Sequence, residues 1–142
     1  MLLYIYKNRN KENYSNSDIN NIIFEEVEKI DLNAMDSHGN TLLIKACEKG
    51  NENIAKLLIE NGADLNKENT DCYTPLMWAC GKGNANIAKL LIEKGADINK
   101  ENKYGDTPLI IACEEGNENI AKLLIEKGAD INKENKDGDT PL

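Results

Sequence analysis

Aromatic side chains make up only 5% of this 142-residue chain, with one Trp, one Phe and five Tyr. A core built without them relies on Leu, Ile and Ala, which suit close helix stacking, so each exposed aromatic carries more information than usual. Basic residues are also scarce: 17 Lys and Arg face 25 Asp and Glu, a formal charge of -8. Phosphate binding relies on Lys and Arg displacing counterions, so this balance argues against nucleic acid and anionic membranes. It favours protein partners, basic ones among them. No apolar run approaches the length needed to cross a bilayer. Met1 to Tyr6 is apolar but lacks a basic start and a small-residue cleavage site, so it does not read as a signal peptide.

Site chemistry is equally thin. His38 is the only histidine, with no cysteine or second histidine at ligand spacing, which removes a zinc site. Asp97, Asn99 and Glu101 imitate the start of a calcium loop, but Asn102 stands where the loop needs Gly and Pro108 where it needs its final Glu. No phosphate-cradling glycine motif is present. The expectation is a chain without metal, cofactor or catalytic residues.

What the sequence has is a period of 33 residues. Thr41, Thr74, Thr107 and Thr140 recur at that spacing, as do Ala46, Ala79 and Ala112, then Gly50, Gly83 and Gly116, then Gly62, Gly95 and Gly128. A unit of this size cannot bury its own apolar face and must stack on its neighbours, which makes a solenoid. Within the unit, Thr74, Pro75 and Leu76 open a helix: the Thr caps an orphan amide, and Pro at the first helical position forfeits no hydrogen bond. Gly83 can take the left-handed conformation that ends it. Asn84 then caps a second helix over Asn86 to Glu93, in which Ile87, Leu90 and Leu91 form an apolar stripe. A polar stretch such as Asp97 to Asp106 comes next, with Asn and Gly placed for a tight turn.

Thr74 to Met77 (TPLM) and Thr107 to Ile110 (TPLI), each followed one residue later by Ala, together with the GADIN run at the second helix end, resemble the ankyrin repeat. The resemblance implies an all-α repeat solenoid of stacked helix-turn-helix pairs joined by β-hairpin-like loops. It places full repeats at 36–68, 69–101 and 102–134, a divergent N-terminal capping repeat at 1–35 and the start of a truncated fourth at 135–142. Departures are visible. The family's His after Thr-Pro-Leu is Ile44, Met77 and Ile110 here, Leu42 replaces Pro, and Cys72 stands where the other copies have Gly39, Gly105 and Gly138. Asn66, Asn99 and Asn132 are similar to asparagines that ankyrin-directed hydroxylases modify in some animals.

Cys47, Cys80 and Cys113 share one repeat position, and stacked helices lie about 8–10 Å apart, beyond the roughly 7 Å Cα separation a disulfide allows. They read as buried thiols in a reducing intracellular compartment, cytoplasmic in the first instance, with the nucleus left open. Lys67, Lys100 and Lys133 should form one ladder and Glu68, Glu101 and Glu134 another, both on a solvated face. At the N-terminal end, Tyr6 to Asn16 reads as loop and Ser17 to Lys29 as an amphipathic helix with Ile19, Ile22, Ile23 and Val27 on one side. At the other end, stopping at Leu142 would expose an apolar stripe including Leu123 and Leu124. That reads as a fragment of a longer protein, or as a bare face for self-association.

Sequence freedom is concentrated in one place. Aligning Thr70 onward with Lys103 onward, every difference falls between residues 70 and 85, in the hairpin and first helix. In the resembled family these elements line a concave groove, so the expectation is a noncatalytic protein-interaction module. Its candidate partner-binding residues are Tyr73, Trp78, Lys82, Tyr104, Ile111 and Glu115. Trp78 leads the set, because Lys45 at the same place in the first copy argues that the position reaches solvent. The alternative is a passive spacer in a larger multidomain protein. An enzymatic reading would need a catalytic domain outside this chain.

Overall fold

A computed structural model describes residues 31–142. Within them, Asn33–Leu142 forms one compact unit. The loop expected over 6–16 and the helix expected over 17–29 lie outside the described residues, as does most of the expected capping repeat 1–35.

Six helices are present among the described residues: α1 (Leu42–Lys49), α2 (Glu52–Glu60), α3 (Pro75–Lys82), α4 (Ala85–Glu93), α5 (Pro108–Glu114) and α6 (Glu118–Glu126). Each odd-numbered helix packs on the next helix and on the next odd-numbered one, and α2, α4 and α6 stack likewise. The expected all-α solenoid is therefore the observed architecture, and the connecting loops form turns without strands among the described residues.

Local chemistry fixes the start of each first helix. Thr41, Thr74 and Thr107 accept hydrogen bonds from the amides of Ile44 (3.2 Å), Met77 (3.3 Å) and Ile110 (3.3 Å). All three threonines are buried, so each cap also satisfies a polar group that water cannot reach. The residues that replace the family's histidine are core: Ile44, Met77 and Ile110 are at most 1% exposed. Gly50 and Gly83 end α1 and α3 with φ of 69° and 73°. The stripe of the second helices is set differently from the expected one. Ile87, Ala88 and Leu91 are buried in α4, whereas Leu90 is only half-buried. The C-terminal end also departs from expectation, since Leu124 is fully buried and Leu123 half-buried; the exposed apolar side chains there are Ile125, Ile131 and Leu142.

Asn84 and Asn117 occupy the helix-capping positions of α4 and α6 but make no capping bond. Their side-chain amides instead donate to the carbonyls of Cys47 (2.8 Å) and Cys80 (2.6 Å), at the end of the preceding repeat's first helix. The Cys47 carbonyl also accepts the Gly50 amide at 3.3 Å, whereas Gly83 N–H goes to Ala79, so at Cys80 the neighbouring repeat supplies the donor that a helix C-terminal carbonyl needs. Only Asn51 caps as expected, accepting from Ile54 N at 3.1 Å. A second set of asparagines ties the loops: Asn33, Asn66 and Asn99 each accept the amide of the equivalent aspartate one repeat on, Asp64, Asp97 and Asp130, at 2.7–3.0 Å. The lysine and glutamate ladders are not independent either, for Lys100 meets Glu68 and Lys133 meets Glu101 diagonally across repeats, each at 3.4 Å.

At the hairpin, one side-chain oxygen holds the turn by accepting two backbone amides. Asn69 does so in the second repeat, Asn102 in the third and Asp36 in the first. The Asn40 amide and then Lys45, whose Nζ lies 3.1 Å away, hold the Asp36 carboxyl well below its ordinary 3.8, at about 2. A carboxylate depressed in the folded state contributes stability that is complete above its unfolded value and is lost as pH falls through its folded one. Acidification from 3.8 towards about 2 should therefore cost the wild type more melting temperature than Asp36→Asn. Parallel curves for the two proteins across that window would contradict this role.

Cys72 has φ 62°, and no other described residue except glycine has positive φ. An L side chain in this region costs about 1–2 kcal/mol, against a glycine entropy penalty of about 0.5–1 kcal/mol. Cys72→Gly should raise the melting point by a few degrees, roughly 4 °C per kcal/mol gained. A melting point that is unchanged or lower would show that the Cys72 side chain contributes packing that outweighs its strain.

Candidate functional site

The first helices and the hairpins bring four of the six candidate residues into two groups, close enough that Tyr104 and Asp71 of one act on the Tyr73 hydroxyl of the other. In one, the Tyr73 and Trp78 rings lie with centroids 5.2 Å apart and planes tilted by 39°, and Lys82 Nζ lies 5.8 Å from the Trp78 centroid. In the other, Lys103 Nζ sits 5.0 Å over the Tyr104 ring while pairing with the Asp71 carboxylate of the preceding hairpin. Tyr104 is 51% exposed. Tyr73 and Tyr104 do not occupy equivalent positions: Tyr73 closes its hairpin and leans on α3, whereas Tyr104 stands at the hairpin tip.

Burial revises the sequence reading of this face. Trp78 is half-buried, packed on Tyr73, and its indole nitrogen is buried without a hydrogen-bond partner among the described residues. The repeat position it fills is graded along the stack. Lys45 is exposed there in the first repeat, and Ile111 is 7% exposed in the third. Ile111 packs against α3 beside Gly81, where an added Cβ would lie at ordinary van der Waals contact, 3.4 Å from Ile111 Cγ2. Ile111 thus supports the surface from below. Lys82 and Glu115 are exposed.

Sequence reasoning missed the electrostatics of the third repeat. Partial loss of solvent around the otherwise exposed Glu114 raises its pKa, and the carboxylates of Asp106, Asp139, Glu115 and Asp137 raise it further. Burial likewise raises the Tyr73 hydroxyl, with Asp106 adding to the effect. Asp106 therefore links the aromatic pair to the carboxylates. The signal was present in the differences between copies, where Glu114 and Glu115 replace Gly81 and Lys82.

The three thiols at the shared repeat position are not activated as nucleophiles. Burial pushes Cys47 up to about 12 and raises Cys80 and Cys113, so they remain protonated at neutral pH. Cys113 is only half-buried, unlike the other two and contrary to the expectation of three buried thiols. Among the described residues, no group of three His, Cys, Asp or Glu is placed to hold a metal ion, and no helix is long and apolar enough to cross a membrane.

A family model described as ankyrin repeats (3 copies) matches residues 11–102 and 66–135. No curated protein matches the chain significantly.

Proposed function

The chain belongs to the ankyrin repeat family, and from that premise we propose that it is a noncatalytic module that binds a partner protein along the concave groove of its first helices and hairpin tips. Ankyrin repeats are in general protein-interaction modules. The observation that carries the finer reading is the Tyr73–Trp78 pair with Lys82 beside it, a composition enriched at the energetic centres of interfaces. Variation between copies supports it, since residues 70–85 change while the second helices stay nearly constant. Scaffold and specificity are then divided between the two helix layers.

A passive spacer makes the opposite prediction about this surface. Affinity capture with the wild type and with a Tyr73→Ala, Trp78→Ala, Tyr104→Ala variant separates the two. A binding module should lose its retained proteins in the variant while the cooperative melt survives. A spacer should lose nothing, and that result would overturn the proposal. The boundaries 36–68, 69–101 and 102–134 are proposed as the functional repeats, with the groove centred on the middle one.

A further inference from the structure

The first-helix face is charged unevenly along the stack. α1 presents exposed Lys45 and Lys49, α3 presents Lys82, and α5 with the residue after it presents Glu114 and Glu115. At the hairpins, charges find partners within the chain: Lys45 pairs with Asp36 in the first repeat, and Lys103 of the third with Asp71 of the second. Around α5, among the described residues, no carboxylate has a cationic partner, and Asp106 accepts only the side-chain amides of Asn102 at 3.2 Å and Asn135 at 2.9 Å. Two lysines of that end are engaged elsewhere, Lys133 with Glu101 and Lys136 with the backbone carbonyl of Lys103, and the charged groups acting most strongly on Glu114 are carboxylates. This run of negative charge continues through Asp106 to Tyr73 and the Trp78 ring packed on it. Aromatic faces here already accept cations, as the lysines 5.8 Å and 5.0 Å from the Trp78 and Tyr104 centroids show.

We propose that the partner presents a basic segment that lays an apolar side chain on the Tyr73–Trp78 pair and directs Arg or Lys side chains over Asp106, Glu114 and Asp137. The proposal rests on the groove-binding reading and adds the charge and direction of the occupant. Mutual repulsion of carboxylates that no cation among the described residues pairs is relieved by an incoming one, and an Arg fork can meet a carboxylate through two hydrogen bonds. The same carboxylates repel nucleic acid and anionic lipid. An acidic segment would be turned away from the third repeat, so the groove discriminates by repulsion as well as attraction.

The test is selection of random dodecapeptides displayed against the full chain, with affinities of the enriched peptides read from the fluorescence of Trp78, the chain's one tryptophan. The key variant is E114Q/E115Q/D137N. These three side chains are exposed and the hairpin bond of Asp137 uses only its backbone amide, so the variant should fold with a melting point equal to or above the wild type's as the repulsion is relieved. Enriched peptides should be basic and should bind the variant at least about tenfold more weakly, equivalent to about 1.4 kcal/mol. They should also weaken as salt is raised, and Trp78→Ala, read by calorimetry, should weaken all of them. Peptides that depend on Trp78 but show no basic bias, or bind the triple variant equally, overturn the charge assignment and leave the groove intact. Failure to select any peptide, or selection of peptides indifferent to Trp78→Ala, overturns both.

Discussion

Leu91→Ala is expected to destabilise the whole stack by about 2–5 kcal/mol, the range for truncating a buried leucine that leaves a cavity. Leu91 is 0% exposed in the middle repeat, on a helix that packs against α2, α3 and α6. No single repeat can bury its apolar face alone, so loss at the centre weakens the interfaces on both sides. Thermal or denaturant melts should show one transition shifted as a unit. A shift below about 1 kcal/mol would mean that the neighbouring helices collapse into the vacated space, and would count against tight packing of α4. The equivalent change at Leu90, half-buried, should cost clearly less.

Trp78→Ala should weaken partner binding by at least about thirtyfold, corresponding to the roughly 2 kcal/mol or more typical of an interface hot spot. Its cost to folding should be smaller, on the order of 1 kcal/mol, because the ring is half-buried and its main partner is Tyr73. Trp78→Phe sharpens the distinction. The indole N–H is buried and unpaired among the described residues, and leaving a buried donor unsatisfied costs about 1–3 kcal/mol. Phe removes that donor while keeping an aromatic ring, so the fold should be as stable or more stable, and much of the binding should remain. Binding and stability that fall together in both variants would assign Trp78 to the fold alone.

The features legible in the sequence were those that a backbone requirement stamps on residue type. Left-handed helix ends at Gly50 and Gly83, and caps at Thr41, Thr74 and Thr107, admit few substitutes, so their recurrence disclosed the repeat and the helix starts. Cys72 was readable for the same reason, as the one copy in which the glycine of the turn is missing. Asn84 was misread because the local pattern, an asparagine before a helix, has a more favourable partner 37 residues earlier in the chain, at Cys47 O. Long-range competition of this kind leaves no local trace. Ile111 differs in the same way: variation between copies marked its position as surface, whereas in the third repeat an apolar side chain there is 7% exposed. The chemistry of Trp78 was visible; its half-burial follows from the position Tyr73 adopts.

Whether a partner occupies the groove is decided by hydrogen exchange of the chain with and without a captured partner, or with a selected peptide standing in for one. Groove binding predicts new protection confined to the hairpins and first helices of the second and third repeats, over 70–82 and 103–115, with the second helices unchanged. Protection centred on α4 and α6, with residues 73–82 unaffected, would place the partner on the opposite layer and contradict it.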